Sequence, residues 1–166
     1  YYSKAPAGAP TYARLFGRTF DGSTVGSEEP ISTMNILGFT YPWTKWAAVS
    51  AGDYNICVAY IQRSSPWTIW LRRRVAGTWQ SEIQTPIIPS LNYWNGISLT
   101  ATKTTKLYIF YNEDAVTPDY YNFSYRTWSL TDGFSSPVSL ATDELMGSYS
   151  TQISSNVNLQ TGTFIG

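Results

Sequence analysis

The chain has 166 residues, 16% of them aromatic (13 Tyr, 7 Trp, 7 Phe) and only 13% charged, with eleven basic residues balancing eleven acidic ones. Zero net charge argues against a phosphate-neutralising surface, so nucleic acid is not an expected partner, and no apolar run reaches the roughly 18 to 20 residues that would insert across a membrane. The absence of His removes Ser-His-Asp and Cys-His catalysis and His-ligated zinc.

Short runs of β-branched and aromatic residues alternate with Gly, Pro, Asn, Asp and Ser clusters, and no stretch sustains a helical period, so the chain is expected to be all-β. In chain order the predicted strands are Trp46 to Ser50, Asn55 to Gln62, Thr68 to Arg74, Ile97 to Ala101, Lys106 to Tyr111, Tyr121 to Trp128, Thr151 to Ser154 and Leu159 to Ile165. Within Asn55 to Gln62, Ile56, Val58 and Tyr60 share one face and Cys57, Ala59 and Ile61 the other. A strand apolar on both faces is expected to be covered on both sides. Cys57 has no partner for an internal disulfide and reads as a buried structural thiol.

A repeat underlies these runs. Arg18, Arg72 and Arg126 are separated by two steps of 54 residues, Glu28 and Glu82 by 54, and Tyr60 and Tyr111 by 51. Trp46-Ala47-Ala48-Val49-Ser50 aligns with Trp94-Asn95-Gly96-Ile97-Ser98 at a step of 48. The unit is four strands in about 50 residues, the size of a β-propeller blade. The expected organisation is one propeller segment, 1–166, of about three blades made of four-stranded antiparallel sheets. It divides into the third and fourth strands of one blade (1–36), two whole blades (46–90 and 94–142), and the first two strands of a further one (149–166). Three blades do not close a ring, so a six- or seven-bladed ring is expected, completed by further copies as a homo-oligomer or by the missing remainder of the same propeller. The sequence opens on Tyr1-Tyr2 without Met and is expected to be a processed or partial chain, secreted to the extracellular space.

Ala47-Ala48-Val49-Ser50, Ile56 to Gln62, Thr68 to Arg72 and Gly77 to Ile83 together resemble one blade of the fungal, Aleuria-type fucose-binding lectins. The resemblance implies a six-bladed propeller, assembled from several short chains in some relatives, with sugar held between blades by an Arg, a Glu and a Trp; of these the Trp carries over, at Trp79. Phe20-Asp21-Gly22-Ser23-Thr24-Val25 and Val75-Ala76-Gly77-Thr78-Trp79 are similar to the Asp-box turn of sialidase-type propellers, which implies a hairpin-fixing role for that motif.

Flat rings with polar tips in neutral surroundings suit the apolar face of a sugar. Trp43, Trp67 and Trp79 are the candidates for exposed stacking residues, with Arg18, Arg72, Arg126 and Glu82 as candidate polar contacts. Their periodicity favours a repeated structural contact between sheets over a ligand contact. Arg72-Arg73-Arg74 is not one basic patch, because strand residues alternate between faces. Asn122-Phe123-Ser124 is a glycosylation sequon. Glu113 and Asp114 with Asp119 read as solvated carboxylates, so no metal, cofactor or catalytic residue is expected. The expected function is a secreted, non-enzymatic, lectin-like carbohydrate-binding module acting through repeated weak sites. The alternatives are a structural or assembly subunit whose incomplete blades are completed by neighbouring chains, and a remnant of a sialidase-like glycoside hydrolase.

Overall fold

Where β-branched and aromatic residues alternate between turn formers, the chain is extended, and consecutive strands pair as antiparallel ladders. A computed structural model describes residues 2–4, 12–33, 36–37, 46–50, 56–62, 66–88, 91, 95–102, 106–118, 120–145, 156–157 and 164–165. No helix occurs among the described residues. The first sheet contains β1 (Tyr2–Lys4), β2 (Tyr12–Gly17), β3 (Glu29–Pro30) and β4 (Ile36–Leu37), the other three all pairing with β2. The second contains β5 (Trp46–Ser50), β6 (Ile56–Ile61), β7 (Ile69–Val75), β8 (Thr78–Trp79) and β9 (Ile83–Gln84). The third repeats that order with β10 (Ile97–Ala101), β11 (Leu107–Asp114), β12 (Tyr120–Ser129), β13 (Gly133–Phe134) and β14 (Val138–Leu145). A last pair joins β15 (Asn156–Val157) to β16 (Phe164–Ile165). The strand expected over 151–154 lies outside the described residues.

Four-stranded sheets are expected, and in the second and third sheets the fourth strand is split: β8 and β9 both pair with β7, and β13 and β14 both pair with β12. The segment 1–36 carries β1 ahead of the two strands expected there.

The ladders show which residues correspond between sheets. Trp46 faces Tyr60 and Ile97 faces Tyr111. Trp46 therefore corresponds to Ile97, 51 residues on, and the 48-residue alignment with Trp94 is corrected. Val58 faces Arg72 and Ile109 faces Arg126, so the arginines correspond at a step of 54. The longer step arises in the hairpin after β11, whose ladder runs on to Asp114 facing Tyr121. Gly17 faces Glu29, Leu71 faces Ile83 and Tyr125 faces Val138, which aligns the outer strands of all three sheets.

The sheets pack face to face in chain order. Val58 and Tyr60 of β6 bury against Leu15 and Ile31 of the first sheet. Cys57, Ala59 and Ile61, from the opposite face of β6, join Ile69 and Leu71 against Leu107, Ile109, Tyr111 and Trp128 of the third. At about 1.5–3 kcal/mol for each fully buried large side chain, these two layers dominate the folding energy. β5 runs beside β10, and β10 beside β15, so the first strands of successive sheets are neighbours.

The hairpins are set by local chemistry. Asp21 Oδ1 accepts the N–H groups of Thr24 (2.7 Å) and Ser23 (2.9 Å), and these bonds hold its carboxyl below the usual carboxylate range. In the third sheet Ser129 and Asp132 bond each other across the turn. Ala76 and Gly77 occupy the β7–β8 turn with φ of 46° and 81°, the pattern of a type I′ hairpin. Asn is at ease in that region whereas Ala is not, so Ala76→Asn should raise stability by about 0.5–1 kcal/mol, read as a higher urea midpoint at unchanged slope.

Cys57 is buried, and burial pushes its thiol up to about 11 from 9.0 against a weaker opposing effect of Arg73. Burial likewise raises the phenols of Tyr60 and Tyr111. All three acids hold their protons more tightly folded than unfolded. The stability from Cys57 is therefore complete below about pH 9 and is lost as pH rises towards about 11, with the tyrosines extending the loss upward. Thermal melts at about pH 8 and about pH 10 should show this decline, and Cys57→Ala should remove the part that begins lowest.

Candidate functional site

The gap between the first and second sheets holds a cavity of about 210 Å3 lined by Gly17, Arg18, Thr19, Phe20, Glu29, Ile56, Arg74 and Trp79. Strand alternation places Arg72 and Arg74 of β7 towards the first sheet and Arg73 towards the third. Arg74 Nη2 donates to Glu29 Oε1 at 2.8 Å, and Trp79 Nε1 donates to Glu29 Oε2 at 2.8 Å. The carboxylate thus bridges a guanidinium and an indole, and the indole is held in place against β3. The Arg72 guanidinium lies 5.7 Å from the centre of the Trp79 ring, a cation–π contact that fixes the ring from within the same sheet. Arg74 Nε is buried without an acceptor.

Correspondence between sheets explains why the gap is open. At the junction of the second and third sheets, Leu71 stands where Gly17 stands, Arg73 where Thr19 stands, and Ile83 where Glu29 stands. Trp128 and Phe134 replace Arg74 and Trp79. There Leu71 and Trp128 are buried, Ile83 and Phe134 pack on the same cluster, and the Arg73 guanidinium covers the Trp128 ring at 5.0 Å. The first junction lacks the leucine and the isoleucine, so space remains, and Glu29 and Arg74 add polar groups to a lining that Ile56 and Trp79 keep partly apolar.

Of the expected stacking residues, Trp79 is half-buried and lines the cavity. Trp67 differs from its expected exposed stance: it is half-buried and packs on the core shared by the second and third sheets. Trp43 lies outside the described residues. Arg18 lines the cavity rim and sits 3.7 Å from Glu28. Arg72 donates to the carbonyls of Gln80 (2.8 Å), Pro30 (3.2 Å) and Ile31 (2.6 Å), tying its own hairpin and the first sheet together. Arg126 makes the corresponding bond within its hairpin, to the Ser135 carbonyl at 3.1 Å, and is buried. Glu82 accepts from Thr33 N at 2.8 Å and from the Thr33 and Tyr60 hydroxyls, a clasp between the two sheets. Asn122 Oδ1 accepts the Asp143 N–H at 3.1 Å and so holds the bulge of β14. Glu113 and Asp114 are successive residues of β11 and point to opposite faces.

Glu29, Arg74, Gly17, Thr19 and Ile56 are absent from the sequence-derived candidates. Their signal is contrast within the repeat: Glu29 is the charged member of a column otherwise filled by Ile83 and Val138, and Gly17 the small member of a column filled by Leu71 and Tyr125. No protein-family model, curated protein or solved structure matches the chain.

Glu29→Ala should strand the Arg74 and Trp79 donors in a partly buried gap. Solvent access to both charged groups limits the loss to about 1–2 kcal/mol, measured as a fall in urea midpoint with unchanged slope.

Proposed function

We propose that the chain is a secreted, non-enzymatic carbohydrate-binding module of β-propeller type, seating one sugar ring in the cavity between its first and second sheets. Three features support the propeller reading: the recurring strand order, the steps of 51 and 54 residues, and the neighbouring first strands β5, β10 and β15, which take the place of innermost strands around an axis. The observation that carries the binding reading is the Glu29–Arg74–Trp79 group in a small cavity. An indole edge and Ile56 offer an apolar wall, while the Glu29 carboxylate and the Arg74 guanidinium offer acceptor and donor character for adjacent hydroxyls. Both Glu29 oxygens already hold a donor, so the carboxylate serves as a fixed acceptor and not as a mobile proton carrier. At about 210 Å3 the cavity is below the roughly 300–1,000 Å3 of sites for larger ligands, which suits a single ring or a chain terminus.

The test is a glycan array followed by saturation-transfer NMR with the retained monosaccharide, where affinities of about 0.1–10 mM are expected for a single weak site. Trp79→Ala and Glu29→Gln should each weaken binding about tenfold or more. Gly17→Leu, which copies the filler of the second junction, should abolish it, and Phe134→Leu should leave it unchanged. If the folded chain retains no glycan, or if binding ignores Trp79, Glu29 and Gly17 alike, the reading is wrong.

A further inference from the structure

Each junction in the molecule is built from two complementary half-sites. The outer strand of one sheet presents a residue facing Gly17, Leu71 or Tyr125, and the next sheet covers it with the cross-strand pair at its hairpin. At the first junction Glu29 meets the pair Arg74 and Trp79. At the second Ile83 meets the pair Trp128 and Phe134, whose ring centres are 6.4 Å apart. One copy of each half-site is left over. In the third sheet Val138 holds the Glu29 and Ile83 position and is 43% exposed, with Leu140 beside it in the β14 bulge at 57%. In the first sheet Phe20, which also borders the cavity of the first junction, and Val25, paired across the hairpin as Arg74 is with Trp79, are 68% and 58% exposed.

We infer that these two half-sites meet between two copies of this chain: the Phe20–Val25 hairpin of one copy docks on Val138 and Leu140 of the next, in the arrangement that already joins the second sheet to the first and the third to the second. The leftover halves match in kind, since both are apolar, like the second junction and unlike the first. Val138 and the Phe20–Val25 pair are exposed at positions whose counterparts in the other sheets are packed across a junction, so each is half of an unfinished junction and the two halves lie in different sheets of the same molecule. β15 stands beside β10, the first strand of the third sheet, whereas Val138 belongs to β14, which pairs with β12. β1 and β16 fill the same strand position relative to their sheets, so only one of the two pairs with β2 in the joint. The contact uses different surfaces on the two copies and is therefore head to tail, closing a ring if the rotation per copy divides a full turn and extending a filament if it does not.

Sedimentation velocity across about 1 to 100 µM should show a mass that rises with concentration. Phe20→Asp and Val138→Asp should each weaken association about tenfold or more. The decisive measurement mixes the two variants. Phe20→Asp keeps an intact Val138 face and Val138→Asp an intact Phe20 hairpin, so together they should form a 1:1 complex and nothing larger. A parent chain that stays monomeric across the range, variants that associate like the parent, or a mixture that forms no 1:1 complex would each overturn the inference. Both side chains are exposed, and circular dichroism melts check that the fold is kept; Phe20→Ser and Val138→Thr repeat the experiment should an aspartate lower the melting temperature.

Discussion

β6 imposes the governing constraint. Ile56, Val58 and Tyr60 point one way and Cys57, Ala59 and Ile61 the other, and all but Ile56 are buried. No two-layer arrangement covers such a strand on both faces, so its sheet must lie between two others. Everything else about the second sheet follows from that placement. Alternation along β7 sends Arg72 and Arg74 into the first junction and Arg73 into the second, and a run of three positive charges becomes three separate contacts: carbonyl clasp, ion pair and ring cover.

The two junctions share a backbone arrangement and differ in filling. In the second, Leu71, Ile83, Trp128 and Phe134 close the gap by apolar packing, and the adaptable Arg73 stem and guanidinium cover the Trp128 ring. In the first, Gly17 and Thr19 vacate the volume and Glu29 replaces the isoleucine, so cohesion passes to directed bonds: Glu29 to Arg74 and Trp79, Arg72 to the Pro30 and Ile31 carbonyls, and Glu82 to Thr33 and Tyr60. Directed bonds contribute about 0.5–1.5 kcal/mol each net, less than the apolar residues they replace. A junction that gives up packing where its repeat copy keeps it departs from local consistency, and such departures concentrate at functional positions.

The all-β class, most strand positions and the correspondence of Arg72 with Arg126 were legible in sequence because they depend on period-two alternation and on spacing, which are properties of the chain itself. The first-strand alignment was misread by three residues because Trp94 imitates Trp46; only the ladder partners Tyr60 and Tyr111 decide that Ile97 is the true counterpart. Trp67 looked like a ligand-facing loop residue because sequence cannot tell a loop that leaves the protein from one that folds back onto its core. Trp79 was legible as a candidate, but its partners were not. Glu29 and Arg74 are 45 residues apart, and their meeting depends on how one sheet is set against the next, which no local pattern encodes.

Differences between junctions also set what the protein can gain from repetition. Equal junctions would place equal sites around an axis, yet the counterpart of the cavity at the second junction is filled by Leu71 and Trp128. Under the proposed function, one sugar site per pair of described junctions means that avidity has to come from copies of the chain and not from its internal repeat. The head-to-tail contact inferred above would supply such copies, each bringing its cavity at a fixed rotation and spacing from the last. Under both proposals, the apolar Phe20, Val25 and Val138 at the outer half-sites and the polar Glu29, Arg74 and Trp79 at the first junction would divide two tasks between equivalent positions of one repeat, filling a gap in one place and admitting a ligand in the other.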